Sequence, residues 1–213
     1  MIHCVGNSHC LVFVGAYDPV WFCKPYWPTK RPDKLPYFRT YYLGPITAYN
    51  FYDHQPKVLQ IAREIPKDDY IMLCVGEIDC RWNLPLQAEK QGVPVNALVT
   101  ECVYRYFRSA KDLLDLGYKV ILWNVHPSSR TYQKDITVGD CRSRVEIARL
   151  FNDKLHQLSE LHGCFFLTIF NKLLSEDGLT NMEYLAPDNN HLMPDKVMPL
   201  ILAELRMKLN EAL

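Results

Sequence analysis

The sequence predicts one domain, residues 1–213, folded as a three-layer α/β/α sandwich around a mainly parallel sheet of about five strands. Two observations predict this fold class. Short continuous apolar runs alternate with longer stretches of helical periodicity, which is typical of a parallel sheet covered on both faces by crossover helices. The chain is also long enough to bury a full core, and it contains no internal repeat and no linker rich in glycine and serine.

The predicted strands are four continuous apolar runs and one weaker candidate. Because the four runs lack the alternation of a half-exposed strand, we expect both of their faces to be buried. In chain order the strands are Ile2–Val5, the weaker Tyr37–Leu43, Tyr70–Val75, Tyr118–Asn124 and Cys164–Ile169.

Four other segments carry apolar side chains at helical spacing, and right-handed crossovers would place them on the faces of the sheet. Gly163 supports the end of the third segment and Pro194 the start of the fourth, since glycine favours helix ends and proline favours first turns. The predicted helices are His54–Ile65, Val95–Leu116, Val138–His162 and Met193–Leu213.

The region Tyr17–Tyr42 contains five prolines and many aromatic residues, so it cannot form a regular helix. We expect a long ordered loop that lies over the sheet edge or the site. Two interpretations stay open. Rings such as those of Trp21, Tyr26 and Trp27 could stack on a sugar, or they could form a hydrophobic flap that seals the core.

The charge balance excludes some classes of partner. The chain carries 24 basic and 24 acidic side chains, so a formal net charge of zero gives no electrostatic argument for binding nucleic acid or an anionic membrane surface. No apolar run approaches the ~20 residues that span a bilayer, and the first residues show no signal peptide. We therefore expect a cytoplasmic protein without nucleic-acid or membrane partners.

The eight cysteines form no C-x-x-C pair, and most lie in apolar runs where a thiol packs as a small hydrophobic group. This pattern favours a reduced intracellular protein over a disulfide scaffold. Only His3, Cys4, His9 and Cys10 lie close together in the sequence, which is a weak basis for a zinc site. We expect no metal.

The loops that follow the strands hold the candidate site, because open α/β sheets bind ligands at the carboxyl ends of their strands. The first such loop contains Ser8 in the sequence GNSH, and Asp188 and His191 lie three positions apart before the last helix. At that spacing the carboxylate can accept a hydrogen bond from the imidazole Nδ1–H, which leaves Nε2 to act as a general base. A serine hydroxyl needs such a base near neutral pH, so Ser8, Asp188 and His191 are the candidate catalytic triad.

Four short blocks lie in order along nearly the whole chain: GNS at 6–8, LGPITAYNF at 43–51, GEID at 76–79 and DNNH at 188–191. Together they resemble the blocks of the SGNH (GDSL-like) hydrolases. The resemblance implies a flavodoxin-like sandwich and ester hydrolysis by a serine, without a metal or an organic cofactor. The GEIDCR form of the third block resembles a branch of such proteins found beside carbohydrate-handling genes.

The resemblance also implies an oxyanion hole that includes the backbone N–H groups of Ser8 and Gly44. The family's third donor is an asparagine, and this sequence has Ile78 in its place, a side chain without a donor. We hypothesise that Arg81 supplies the missing donor, because its guanidinium carries five N–H groups and a permanent charge. Asn50 is the weaker candidate for the same role.

Several polar residues near these blocks have two interpretations. Arg81 could instead form a salt bridge with Glu77 or Asp79 that holds the loop. We expect Asp79 to have a structural role. Glu77 could alternatively bind a substrate hydroxyl, and Asn50 and His126 are further candidates for substrate binding. His9 flanks the nucleophile and could touch substrate, although a histidine in a turn is more often solvated.

The sequence therefore predicts a serine esterase that removes an acyl group, with acetyl the expected group, from a carbohydrate or another small ester. Two alternatives stay open. An O-acyltransferase would use the same acyl-enzyme with a sugar hydroxyl in place of water. A catalytically silent glycan-binding domain would account for Ile78 and the aromatic-rich loop. The oligomeric state is left open.

Overall fold

Five parallel strands form one sheet in a computed structural model that describes residues 1–18, 34–130 and 137–209. Their order across the sheet is β2-β1-β3-β4-β5, and each neighbouring pair is parallel. The predicted fold class is therefore confirmed. The strands are β1 Ile2–Gly6, β2 Phe38–Tyr42, β3 Tyr70–Cys74, β4 Lys119–Trp123 and β5 Phe165–Leu167.

Five α-helices accompany the strands in the described residues, and four of them correspond to predicted helices. The second helix and a short 3₁₀ helix at Ser8–Val14 were not predicted. The helices are α1 Gln55–Arg63, α2 Leu84–Gln91, α3 Val95–Asp115, α4 Cys141–His162 and α5 Pro194–Leu209.

The start of α4 differs from the prediction for a local reason. The helix begins at Cys141 rather than Val138 because the side chain of Asp140 caps it, accepting hydrogen bonds from the N–H groups of Arg142 and Ser143. Gly163 ends the helix with φ +69°, as predicted.

The core lies in two layers, one on each face of the sheet, and β3 shows how the sequence produces them. Ile71 and Leu73 pack in the cluster that contains residues of α1, α3 and α4. Met72 and Cys74 pack in the cluster that contains residues of α5 and of the 3₁₀ helix. Alternate side chains of a strand point to opposite faces, so a continuous apolar run fits a strand that is buried on both sides.

The weaker strand candidate at 37–43 forms β2, at one edge of the sheet. Trp21, Tyr26 and Trp27 lie outside the described residues, so the two interpretations of the aromatic loop remain predictions. The seven cysteines within the described ranges are all free thiols. None of the helices in the described part of the chain is long and apolar enough to cross a membrane.

Candidate active site

Ser8 lies on a turn that packs closely against the neighbouring strand β3. β1 ends at Gly6, where a Cβ atom would lie 2.0 Å from the carbonyl oxygen of Cys74, so no side chain fits at this position. The next residue, Asn7, is fully buried and donates its backbone N–H to the same carbonyl. Its side chain accepts a hydrogen bond from the N–H of His9 and donates one to the carbonyl of Ile46. These bonds fix the turn against β3 and the loop after β2.

The three predicted triad residues meet at the carboxyl end of β1. The Nε2 atom of His191 lies 2.8 Å from Oγ of Ser8, and its Nδ1 atom lies 2.7 Å from Oδ2 of Asp188. The carboxylate requires a proton on Nδ1, which leaves Nε2 as the acceptor for the serine hydroxyl. The arrangement can therefore remove a proton from Ser8, although the chain separates Ser8 from His191 by 183 positions.

Asp188 is held as an ionised acceptor. Its Oδ1 atom accepts the N–H groups of Asn190 and His191, both at 2.9 Å, and Tyr17 donates its hydroxyl to Oδ2 at 3.1 Å. Burial alone would raise the pKa of Asp188, but these hydrogen bonds and the adjacent imidazole lower it well below its usual range. Partial burial and the Asp188 carboxylate raise the pKa of Tyr17 to about 12, so Tyr17 stays a donor. The sequence analysis did not identify Tyr17.

Two backbone N–H groups fit the predicted oxyanion hole. Within the described residues, neither the N–H of Ser8 nor that of Gly44 donates to a protein acceptor. The loop that carries Gly44 is joined to the nucleophile turn by the bond from Leu43 N to the carbonyl of Gly6, at 2.8 Å. Gly44 has φ +93°, which favours glycine. The oxyanion role of both groups stays a prediction.

Asp79 ties the third sequence block to the second, which is the structural role expected for it. Its fully buried carboxylate accepts the N–H groups of Ala48 at 2.6 Å and Tyr49 at 3.3 Å. Burial raises the pKa of Asp79 to about 6, even though these bonds act in the opposite direction.

Arg81 lies against Glu77, with Nε donating to Oε1 at 2.7 Å. This is the arrangement of the alternative interpretation, a salt bridge within the loop. Arg81 lines a different small cavity from Ser8, and His126 is common to both cavities. The use of Arg81 as an oxyanion donor stays a prediction.

Asn50 lies apart from the triad. Its Oδ1 atom accepts hydrogen bonds from the N–H and the hydroxyl of Thr47. It lines a cavity of about 560 Å³ that contains none of the triad residues. Whether Asn50 binds substrate or replaces the missing donor stays a prediction.

His9 is buried, so the expectation of a solvated histidine was wrong. The unpredicted 3₁₀ helix at Ser8–Val14 turns its side chain inward. Its ring stacks on that of His191 with centroids 4.5 Å apart, and His126 lies on another side at 5.2 Å. Burial lowers the pKa of His9 to about 4, so the ring is neutral near pH 7.

The carboxylate of Glu77 lies between His9 and Arg81. Oε2 is 2.9 Å from Nε2 of His9, and Oε1 accepts from Arg81. Burial alone would raise the pKa of Glu77, but its contacts with His9 and Arg81 lower it well below the usual value. Of the two roles expected for Glu77, the structure shows the pairing with arginine, and contact with substrate stays a prediction.

The cavity beside Ser8 is small and is lined by apolar residues as well as by Ser8, His9 and His191. Its volume is about 10 Å³, about the space of one water molecule. His126, predicted to bind substrate, lines it, and burial lowers the pKa of this imidazole. The apolar residues around it are Leu11, Val12, Ala16, Trp123, Leu192 and Pro194.

No group of three or more histidine, cysteine, aspartate or glutamate side chains in the described ranges is arranged to hold a metal ion. The weak zinc candidate has other contacts. His3 pairs with Asp69 at 3.1 Å, and His9 contacts Glu77.

No protein-family model and no curated protein matches the sequence. Solved structures do match over nearly the whole chain. A GDSL-like lipase from Bacteroides thetaiotaomicron has a TM-score of 0.65 at 15% identity, with 98% of this chain and 88% of that chain covered. A variant of an acetyl-xylooligosaccharide esterase from Geobacillus stearothermophilus has a TM-score of 0.60 at 16% identity, with 96% of this chain and 92% of that chain covered. The protein therefore has the fold of the SGNH (GDSL-like) hydrolases, the family that its four sequence blocks resemble.

Proposed function

We propose that the protein is a serine esterase that removes a short acyl group, acetyl in the first place, from a carbohydrate or another small ester. The observation that carries the proposal is the chain of two short contacts from Ser8 to His191 and from His191 to Asp188. A hydroxyl, an imidazole and an ionised carboxylate in this order form the constellation that activates a serine for acyl transfer.

The reaction follows from these contacts. Oγ of Ser8 attacks the acyl carbon while Nε2 of His191 takes the hydroxyl proton, and Asp188 stabilises the resulting imidazolium. The N–H groups of Ser8 and Gly44 receive the negative charge that develops on the carbonyl oxygen. His191 then gives the proton to the leaving alcohol, which departs and leaves an acyl-enzyme. A water molecule, deprotonated by His191, attacks the acyl-enzyme, and His191 returns the proton to Oγ of Ser8 as the free acid leaves.

The size of the acyl group is proposed from the small cavity at Ser8. A volume of about 10 Å³ with apolar walls favours a group as small as the methyl of an acetyl over a long chain. The carbohydrate alcohol is proposed from the acetyl-xylooligosaccharide esterase with the same fold. Catalytic variants of an acetylxylan esterase of the same organism replace one serine or one histidine by alanine, which agrees with the roles proposed for Ser8 and His191.

The first test is labelling with a fluorophosphonate probe, combined with release of acetate from acetylated oligosaccharides. We expect wild-type protein to be labelled and to release acetate, and Ser8→Ala to do neither while keeping its fold. Folded wild-type protein that is not labelled would support the silent glycan-binding domain instead. Mass analysis with an acyl donor and a glycan acceptor tests the acyltransferase, and release of free acid alone excludes it.

A further inference from the structure

A second histidine–carboxylate pair, formed by His9 and Glu77, adjoins the proposed base His191 through the stacked ring of His9. The two side chains of this pair are 7% and 5% exposed, whereas those of His191 and Asp188 are 12% and 30% exposed. The proposed mechanism assigns no step to the buried pair. An ionised carboxylate is costly to bury, so its place beside an active-site ring needs an explanation.

We propose that His9 and Glu77 are positioning residues, which hold the ring of His191 against Ser8 and stabilise the positive charge that this ring acquires during turnover. The proposal rests on the proposed function, because it concerns the same proton transfer. In this role both residues act through His191, because His9 stacks on its ring and Glu77 contacts His9.

The stacking of the two rings is the first part of the argument. The planes of His9 and His191 are 26° from parallel, with centroids 4.5 Å apart, so the face of one ring covers the face of the other. This contact resists rotation of His191 away from Ser8. The π-face of a neutral ring also attracts a cation, so the contact strengthens when His191 is protonated.

The charges around His191 are the second part of the argument. Asp188 faces it from its own loop, His9 faces it from the 3₁₀ helix, and His126 faces His9 from the loop after β4. His9 does not repel an imidazolium near pH 7, because burial lowers the pKa of His9 to about 4. Glu77 lies 2.9 Å from His9 and remains ionised. A negative charge in a poorly screened interior should attract an imidazolium that lies one stacked ring away.

Arg81 explains how the carboxylate stays ionised in this place. Its Nε donates to Oε1 of Glu77, which compensates for the lost hydration of the carboxylate, whereas His9 contacts the other oxygen, Oε2. Glu77 and Arg81 are four positions apart on a helical turn, a spacing that brings side chains together. The third sequence block thus supplies a carboxylate next to His9 and the cation that pairs with this carboxylate.

The test compares Glu77→Gln, His9→Phe and His9→Leu with controls in an unrelated pair. His156 and Glu160 form an exposed histidine–carboxylate contact of 3.5 Å on α4, so His156→Phe and Glu160→Gln are the matched controls. Two quantities are measured. One is the titration midpoint of the His191 ring by NMR in Ser8→Ala protein, and the other is the acid limb of the pH profile of kcat/KM.

We expect Glu77→Gln to move both midpoints to lower pH by roughly one unit, because the imidazolium loses a nearby negative charge. His9→Phe keeps a ring on His191 and should retain several times more turnover than His9→Leu. The control variants should leave both midpoints unchanged. If Glu77→Gln does not fold, the double variant E77Q/R81Q replaces it. Both midpoints should then move to lower pH by less than in Glu77→Gln, because loss of the Arg81 charge acts in the opposite direction.

Unchanged midpoints in Glu77→Gln and in the double variant, together with a lower melting temperature, would overturn the proposal and leave the pair a purely structural role. Equal turnover of His9→Phe and His9→Leu would overturn the role of stacking. The NMR titration needs no substrate, so the two proposals can fail separately. If the protein hydrolyses no ester but Glu77→Gln still shifts the His191 midpoint, the esterase is refuted and the positioning pair is retained.

Discussion

Two histidine–carboxylate pairs share one edge of the sheet and use the same chemistry differently. His191 and Asp188 are partly exposed, and the imidazole directs Nε2 at a serine hydroxyl. His9 and Glu77 are buried, and Nε2 of this imidazole lies 2.9 Å from the carboxylate of Glu77. The first ring can accept a proton from a neighbour. The second ring is neutral until about pH 4, so it cannot act as a base that is protonated near neutral pH. Burial and the partner of Nε2 therefore separate the two roles.

The largest effect is expected from substitutions in the partly exposed pair, His191 and Asp188. His191→Ala should lower kcat by at least about 10⁴-fold, because no other group accepts the Ser8 proton. Asp188→Asn should lower it by roughly 10³–10⁴-fold, since an amide favours the wrong imidazole tautomer. Circular dichroism should show that both variants keep their fold. Wild-type turnover in both, with Ser8→Ala inactive, would refute the assigned base.

Arg81→Ala tests which role the arginine has beside the buried pair. Because Arg81 lies on Glu77, we expect a loss of about 3 kcal/mol of stability, measured by urea unfolding, and no more than about a tenfold loss of turnover. Arg130→Ala is the matched control. It breaks an exposed pair with Asp177 and should cost less than about 1 kcal/mol. An unchanged melting temperature with turnover reduced about 10²–10³-fold would instead identify Arg81 as the oxyanion donor.

The pH dependence of stability tests the comparison of the two histidine–carboxylate pairs, because the buried His9 should contribute to it. The pKa of His9 is lowered to about 4 in the folded protein and is about 6.5 in the unfolded chain, so its contribution is present above pH 6.5 and is lost as the pH falls towards 4. The difference in unfolding free energy between wild-type protein and His9→Phe should therefore shrink by up to about 3 kcal/mol across this window.

Asp79 changes the free energy of unfolding in the opposite direction over an overlapping pH range. Its raised pKa of about 6 gives a contribution that is present below pH 3.8 and is lost as the pH rises through 6. The wild-type curve alone would therefore understate the effect of His9, which is why the difference between variants is measured. His156→Phe, at an exposed histidine, should give a difference that does not change in this way.

The smallest expected effect concerns Tyr17. Tyr17→Phe removes one of the donors to Asp188 and leaves the two backbone N–H groups in place, so turnover should fall by roughly two- to tenfold. Tyr49→Phe is the matched control, because its hydroxyl contacts Glu101 away from the triad. Equal rates for Tyr17→Phe and the control would show that the hydroxyl does not support the carboxylate.

The triad could be predicted from the sequence because its signals are local. A serine directly after an apolar strand and an aspartate three positions before a histidine each lie within one short segment, and the parallel sheet brings the segments together. The fold class was predictable for the same reason, since periodicity is read within single elements.

The surroundings of the triad were harder to predict. The run after Ser8 is too short to show helical periodicity, so the burial of His9 was missed. Tyr17 contacts Asp188 across 171 positions, and no local pattern encodes that contact. The salt bridge of Arg81 with Glu77 was one of two interpretations of the sequence, because the i,i+4 spacing favours it only if GEIDCRW is helical.

Ser8 and His9 are consecutive residues, and this adjacency has an evolutionary consequence. Their Cα atoms are separated by one peptide bond, about 3.8 Å, so neither can drift while the other stays in place. An insertion or deletion before this turn would displace the nucleophile and the second imidazole together. Descendants of the protein should therefore keep or lose the two features jointly, and a lineage that abandons the serine would no longer be under selection to retain a glutamate at position 77.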